Sequence, residues 1–202
     1  MARDFHHAAI PEPVVLLGQR LHPFSIGHTI ILERFENPFV MGGRADVIDL
    51  FTGIMVCCNE YDEFIKLIRE DDVISIVKKW AKNVGKFDFT DISKAFKDYI
   101  EDAYSNFPKY WYEETKGKET KAGANFAQNI KVRLLRNTNL TEQEILNRPL
   151  ALSMWDSITI LEQDGALRIN TKEDDKMEEQ EEAFNEWLQE LPRDRKVKFG
   201  IN

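Results

Sequence analysis

Apolar residues at helical spacing form the main pattern of this chain, and the clearest run lies between Val47 and Cys58. Its apolar side chains recur at steps of three and four positions, which is the period of one face of an α-helix. Ile48 and Val56 add apolar side chains on other faces, so we expect this helix to be buried on most sides. Asp46 stands just before the run, where its carboxylate can cap the first turn. The pattern therefore predicts a central, buried helix.

Similar patterns predict further helices along the rest of the chain, several of them preceded by a polar capping residue or ended by a glycine or proline. They are expected after Ser25, around Phe64, after Asp71-Asp72, from Thr90, from Asn125, after Thr141, from Pro149 and over 171–191. Gly85 is expected to end the third of these in the left-handed conformation. Alternating strand patterns are nearly absent, although residues 14–17 (VVLL) could form a short strand or an extended segment docked on the helices. The sequence predicts an all-α fold of about eight helices in one globular domain.

The ends of the chain and one internal stretch depart from this helical pattern. Residues 1–13 end in Pro-Glu-Pro, which favours an extended chain, and are predicted to form a flexible N-terminal arm. The helical domain is predicted over 14–191, followed by a basic tail at 192–202. Residues 109–123 (KYWYEETKGKETKAG) are charged and lack an apolar period, so we expect an exposed loop. An alternative is two closely joined halves, 14–108 and 124–191, on either side of this loop.

Composition and charge narrow the functions that such a fold can have. The chain has 202 residues, of which 43% are hydrophobic, enough for a substantial core. A formal net charge of −8 repels phosphate groups, so neither nucleic acid nor an anionic membrane is expected as a main partner. No apolar run approaches the roughly 18–20 residues that span a bilayer. The N-terminal residues also lack the apolar segment of a signal peptide, and we expect a protein of the cytoplasm.

The residues able to carry out chemistry are few and poorly arranged for it. Of the four histidines, His22 and His28 could bind a metal together with Glu33 or Asp46, but no metal-ligand spacing is present. We favour the interpretation that His28, in a first helical turn, forms local hydrogen bonds or packs. The two cysteines, at positions 57 and 58, are adjacent in an apolar helix, where a free cysteine behaves as a small apolar residue. We therefore predict neither an enzyme nor a resident cofactor or metal.

Two groups of aromatic and apolar residues are candidates for binding a protein partner. Exposed Trp and Tyr side chains often dominate the energy of protein interfaces. The candidate residues are Tyr110, Trp111 and Tyr112 beside the charged loop, and Phe184, Trp187 and Leu188 in the last helix. For each group the alternative is intramolecular: the tyrosines and tryptophan could cover the core, and the last helix could pack on the body. This last helix is strongly acidic and precedes the basic tail, which suits self-assembly or docking to another protein.

Three stretches of the chain resemble small all-α proteins encoded among the structural genes of tailed bacteriophages. These are residues 16–40 (LLGQRLHPFSIGHTIILERFENPFV), 46–64 (DVIDLFTGIMVCCNEYDEF) and 141–169 (TEQEILNRPLALSMWDSITILEQDGALRI). What they share with those proteins is a capped helix, apolar spacing and a tryptophan followed by a terminal glycine. The charged loop and the long acidic helix have no counterpart in the resemblance.

The resemblance implies a non-enzymatic role in virion assembly. Its nearest class is the tail assembly chaperones, which bind the long tape-measure protein during construction of the tail tube. The expected partners are thus other phage structural proteins, together with further copies of this chain, in the host cytoplasm. An alternative is a structural component of the neck or tail that stays in the virion, with residues 1–13 reaching a neighbouring subunit. A metal-dependent enzyme that uses His22 and His28 is the third hypothesis.

Overall fold

The computed structural model describes residues 8–70, 72–105, 108–112 and 125–190. Ten helices fall within these ranges, with two pairs of short strands, which confirms the predicted all-α fold. The helices are α1 (Ile26–Arg34), α2 (Pro38–Met41), α3 (Val47–Cys57), α4 (Tyr61–Glu70), α5 (Val73–Asn83), α6 (Phe89–Ser105), α7 (Phe126–Asn137), α8 (Glu142–Asn147), α9 (Leu150–Gln163) and α10 (Lys172–Glu190). The strands are β1 (Val15–Leu16), β2 (Gln19–Arg20), β3 (Tyr110–Tyr112) and β4 (Leu167–Ile169).

Local capping chemistry explains where most helices begin. Helices α1, α3 and α8 start with a reciprocal capping box, in which the side chains of the capping residue and of the third helical residue each accept a backbone N–H. The pairs are Ser25 with His28 in α1, Asp46 with Asp49 in α3, and Thr141 with Glu144 in α8. The predicted starts at these three capping residues are confirmed.

Several boundaries differ from the expected ones, each for a local reason. Helix α6 begins at Phe89 because the Asp88 carboxylate accepts hydrogen bonds from the backbone of the next turn. Gly85 has no positive φ, so the left-handed ending expected for α5 is wrong. Pro149 precedes α9 as its capping residue rather than lying in the first turn. The short helix α2, which the apolar pattern did not predict, is capped by the Asn37 side chain.

Helix α3 is the centre of the core, as the sequence predicts. All eight residues from Leu50 to Cys57 are buried. The helix packs against α1, α2, α5 and α6. The ring of Phe51 lies edge-on to Trp80, with ring centres 4.6 Å apart. Gly53 allows the ring of Phe96 to approach the α3 backbone, because a Cβ atom at position 53 would lie 2.5 Å from Phe96 Cε1. This contact brings α6 close to α3.

A single core joins the parts of the chain on either side of the predicted loop. Helix α1 packs on α7 and α8, and α6 packs on α9. Backbone and side-chain hydrogen bonds cross the same boundary: Leu150 N–H donates to Phe24 O at 2.7 Å, and Tyr61 N–H donates to Asn147 Oδ1 at 2.8 Å. The buried apolar residues of both parts belong to one contiguous cluster. Helices on both sides of the predicted loop therefore share one core.

The N-terminal part of the chain lies along the helical body. Strands β1 and β2 form a hairpin whose turn residues, Leu17 and Gly18, both have positive φ, as the tightest hairpin turns require. Ala8 of the predicted arm is only 1% exposed and packs against the body, whereas Ile10 is 78% exposed. Residues 1–7 lie outside the described part of the chain, as does the predicted basic tail, 192–202.

Candidate functional site

Helix α10 joins the body through polar contacts near its start. It takes part in none of the extensive helix–helix contacts found among the described residues. Lys109 Nζ lies 2.5 Å from Glu178 Oε2, and Arg168 lies 2.7 Å from the Asp174 carboxylate. The same carboxylate accepts the backbone N–H of Thr171, and this bond and Arg168 lower the pKa of Asp174 to about 2. Charged contacts therefore hold the first turns of the helix in place.

The apolar face of α10 is open to solvent. Met177 is 70% exposed, Phe184 55% and Trp187 48%. All residues from 181 to 187 are exposed, and the rings of Phe184 and Trp187 stack with centres 5.6 Å apart. Steps of seven and three residues place these side chains on one side of the helix. The predicted candidates Phe184 and Trp187 are thus brought together, whereas the side chain of Leu188 lies outside the described part.

The polar faces of α10 are strongly acidic. The helix contains nine aspartate and glutamate residues against two lysines. Acidic groups on a surface repel one another and attract cationic partners over about 10 Å at moderate ionic strength. We define the docking helix as α10 with its exposed apolar residues Met177, Phe184 and Trp187. Its surface combines aromatic side chains with a high density of negative charge.

The tyrosines and tryptophan at 110–112 adopt a different structure from the expected one. They form strand β3, which pairs antiparallel with β4 so that Tyr110 lies opposite Ile169. The interpretation of this segment as part of an exposed loop is therefore wrong for residues 110–112, and residues 113–123 lie outside the described ranges. Tyr110 is half-buried, and the side chains of Trp111 and Tyr112 are likewise outside the described part. Because β4 leads into α10, β3 lies beside the start of the docking helix.

His28 has a structural role that involves both ring nitrogens. Its Nδ1 accepts the Ser25 N–H at 3.2 Å, which assigns the proton to Nε2, and Nε2 donates to Asn59 O at 2.9 Å. Burial lowers the pKa of His28 to about 4; the bond to Asn59 acts in the opposite direction, and the charge of His22 lowers the pKa further. The imidazole is therefore neutral near pH 7, and the favoured interpretation of local hydrogen bonding is confirmed.

The two cysteines lie in surroundings that suit apolar side chains and do not favour a nucleophilic thiolate. Cys57 is fully buried in α3, and burial raises the pKa of its thiol above the usual range. Cys58 is half-buried and its thiol donates to Met55 O at 3.3 Å, with its pKa also raised by burial. Thiols of this kind are protonated at neutral pH and react slowly. Within the described ranges, no three His, Cys, Asp or Glu side chains are arranged to bind a metal ion.

A large cleft that the sequence reasoning missed lies between the N-terminal segment and α6. Its volume is about 1150 Å³. One wall is the segment 8–14, and the other is one face of α6, formed by Ala95, Asp98, Tyr99, Asp102 and Ala103. These five residues recur at the spacing of one helical face. A face of small and acidic side chains was therefore the only sign of the cleft that the sequence of α6 contained. The wall formed by residues 8–14 could not be predicted from helical spacing, because it lies more than 80 residues before α6 residue Ala95 in the chain.

Comparison with known proteins adds no relative to this description. No protein-family model matches the chain, and no curated protein or solved structure is significantly similar to it. The class of protein is therefore defined by the fold and surface alone: an all-α domain with one core, an exposed acidic helix and an open cleft. None of the helices in the described ranges has the length and apolar character needed to cross a membrane.

Proposed function

We propose that this chain is a non-enzymatic interaction protein of bacteriophage tail assembly, similar to the tail assembly chaperones, and that the docking helix binds its client. One observation carries the proposal. Met177, Phe184 and Trp187 are exposed on a helix that lies outside the extensive helix packing of the described domain. Aromatic side chains in this position have little effect on folding and can contribute strongly to an interface.

The charge of the docking helix indicates the chemistry of the client. The helix contains nine acidic residues against two lysines, so a basic partner gains electrostatic attraction that an acidic one lacks. An amphipathic helix places apolar and basic side chains on adjacent faces, which matches this surface. We therefore propose a client helix with an apolar stripe flanked by lysine or arginine. The long tape-measure protein is the client that the phage resemblance implies.

The chemistry of the buried residues supports a non-enzymatic role. His28 uses both ring nitrogens in hydrogen bonds with the protein, and Cys57 is a buried neutral thiol. A general base or nucleophile needs access to substrate and a pKa suited to its task. Neither group meets these requirements.

The position of the phage-like stretches also supports the proposal. Residues 16–40, 46–64 and 141–169 contain α1, α3, α8 and α9, which belong to the core of the domain. The docking helix follows the last of these stretches. In this view the resemblance describes a shared scaffold, and α10 is the addition that selects the client of this particular chain.

Affinity capture from infected cells tests the proposal. The tagged chain is compared with the double variant Phe184→Ala/Trp187→Ala, and Met41→Ala serves as control because Met41 is 59% exposed but lies outside α10. We expect tail proteins to be recovered with the wild type and the control, and to be lost with the double variant. Their amounts relative to the bait distinguish a transient chaperone from a structural subunit of the tail or neck. Equal recovery with the double variant would refute the role of the docking helix.

A further inference from the structure

The cleft between residues 8–14 and α6 has the dimensions of a peptide site. Its volume of about 1150 Å³ exceeds the range of about 300–1,000 Å³ that is common for small-ligand pockets. It is open to solvent, since Ile10 on one wall is 78% exposed and Asp98 on the other is exposed. An open groove of this size favours a chain segment over an enclosed small molecule.

The floor of the cleft is apolar and rigidly packed. Phe24 is 2% exposed, and its ring lies edge-on to Tyr99 with centres 5.8 Å apart. The Tyr99 hydroxyl donates to His22 O at 2.6 Å, which fixes the ring against the loop before α1. Leu21 and Ala151 complete the floor and are also buried. A floor held by these contacts can accept apolar side chains with little rearrangement.

The walls of the cleft carry an excess of negative charge. Glu12, Asp98 and Asp102 line it, together with a single Arg20 among the permanently charged cations. The cleft therefore complements a segment that presents apolar side chains to the floor and basic side chains to the rim.

A segment near the end of the chain has this pattern. From Lys196 to Ile201 the sequence reads KVKFGI, so that Val197, Phe199 and Ile201 alternate with Lys196 and Lys198. Strict alternation places apolar and basic side chains on opposite sides of an extended chain. Arg193 and Arg195 add positive charge just before it.

Helix α10 extends beyond its contacts with the body. Glu178 pairs with Lys109 of the body, and residues 181–187 beyond it are all exposed. The helix continues from Glu178 to Glu190, which adds about 18 Å at 1.5 Å per residue. The described helix thus ends well beyond the contact of Glu178 with the body, which favours a second copy as the binding partner of the residues that follow.

We propose that the cleft of one copy binds the segment 196–201 of a second copy, so that the chains assemble head to tail. The apolar residues of the segment contact Phe24 and Tyr99, and its lysines lie near Asp98 and Glu12. A head-to-tail contact of this type is heterologous and builds rings or open arrays. This proposal concerns a different surface from the docking helix and does not depend on the proposed phage role.

Sedimentation velocity on the full chain tests the proposal, with a synthetic peptide of residues 192–202 as competitor. We expect association that grows with protein concentration and is reversed by excess peptide. Asp98→Lys should weaken it on the order of tenfold, because a charge on the rim changes from attractive to repulsive. Glu101→Lys is the matched control: it lies on the same helix, is exposed and does not line the cleft. It should change the association less than about twofold. Circular dichroism checks that both variants fold.

A second pair of variants separates the cleft from the docking helix. A peptide with Val197→Ser and Phe199→Ser should not compete, since it keeps the charge but loses the apolar side chains. Phe184→Ser on α10 should leave the association intact. The proposal is overturned by a wild type that stays monomeric, by equal effects of Asp98→Lys and Glu101→Lys, by association that the peptide leaves unchanged, or by association that depends on Phe184 instead of Asp98.

Discussion

Helices α3 and α10 both carry an apolar stripe in the sequence, yet they lie at opposite extremes of burial. In α3 all residues from Leu50 to Cys57 are buried, whereas in α10 residues 181–187 are all exposed. The difference lies in the residues beside the stripe. In α3 other faces carry apolar residues such as Val56, whereas α10 contains nine acidic residues against two lysines. An apolar stripe thus predicts a helix, but its neighbours decide whether the core or another molecule covers it.

This contrast predicts two different consequences of mutation. Changes in α3 should alter the free energy of unfolding, because its side chains are surrounded by other buried groups. Changes in α10 should alter binding and leave the free energy of unfolding nearly unchanged, because its side chains remain half-exposed. The predictions below run from the largest expected effect to the smallest.

The largest effect is expected at the centre of α3. Phe51 is fully buried and packs edge-on against Trp80 and Phe87. Phe51→Ala should lower the free energy of unfolding by about 3–5 kcal/mol, because it removes buried surface and leaves a cavity. Phe184→Ala on α10 is the matched control and should change it by less than about 0.5 kcal/mol. Urea unfolding measures both, and equal losses would contradict the contrast between the two helices.

Acid should destabilise the side of the core that holds His28. The pKa of His28 is lowered to about 4 from an unfolded value of 6.5, so the unfolded chain binds the proton more readily. The neutral imidazole makes its full contribution to the free energy of unfolding above pH 6.5. As the pH falls toward 4 this contribution is lost, a total of about 3 kcal/mol. Urea midpoints measured between pH 7 and pH 4 test this.

The control for this pH dependence is His28→Gln. Glutamine can still accept the backbone N–H of Ser25 as the third residue of a capping box, but it does not titrate. The variant should show a flatter pH dependence over the same window. Carboxylates with lowered pKa values, such as Asp174, lose their contribution only at lower pH, below their unfolded values near 4. An unchanged pH slope in the variant would assign the effect to another group.

A smaller loss is expected from filling the space at Gly53. A Cβ atom there would lie 2.5 Å from Phe96 Cε1, and Phe96 is held between Phe39 and Tyr99. Gly53→Ala should cost about 1–3 kcal/mol from overpacking, less the roughly 1 kcal/mol that alanine gains in a helix. Gly85→Ala is the control, because a Cβ atom at that position meets nothing within 4 Å. In thermal unfolding, the midpoint temperature should fall for Gly53→Ala and stay unchanged for Gly85→Ala.

The smallest effect is local and concerns the attachment of α10. Asp174 accepts hydrogen bonds from the Thr171 backbone and pairs with Arg168. Asp174→Ala should increase amide hydrogen exchange in the first turns of α10 several-fold, while the amides of α3 keep their rates. Exchange measured by mass spectrometry resolves the two helices. Faster exchange in α3 as well would show that α10 supports the core.

Local chemistry explains why much of this fold could be predicted from the sequence. The capping residues Ser25, Asp46 and Thr141 act within one turn, so their effect is visible in a few neighbouring letters. The burial of α3 follows from apolar residues on several of its faces. His28 was correctly placed in a first turn, although its bond to Asn59 depends on tertiary structure.

The features that escaped prediction depend on contacts between distant residues. Strand β3 pairs Tyr110 with Ile169, and neither segment alternates in a way that identifies the other. The cleft needs residues 8–14 opposite α6, two segments that are far apart in the chain. The sequence did not decide whether Phe184 and Trp187 on α10 pack on the body or bind a partner. An apolar stripe has the same pattern in both cases.

Site-specific photo-crosslinking in infected cells tests the central claim, that α10 is the surface that binds the client. A photoreactive amino acid replaces Met177 on α10 in one variant and Met41, which is also exposed, in the other. We predict that irradiation links position 177 to a phage tail protein and that position 41 gives no such product. A tail protein linked from position 41, with none linked from position 177, would contradict the account.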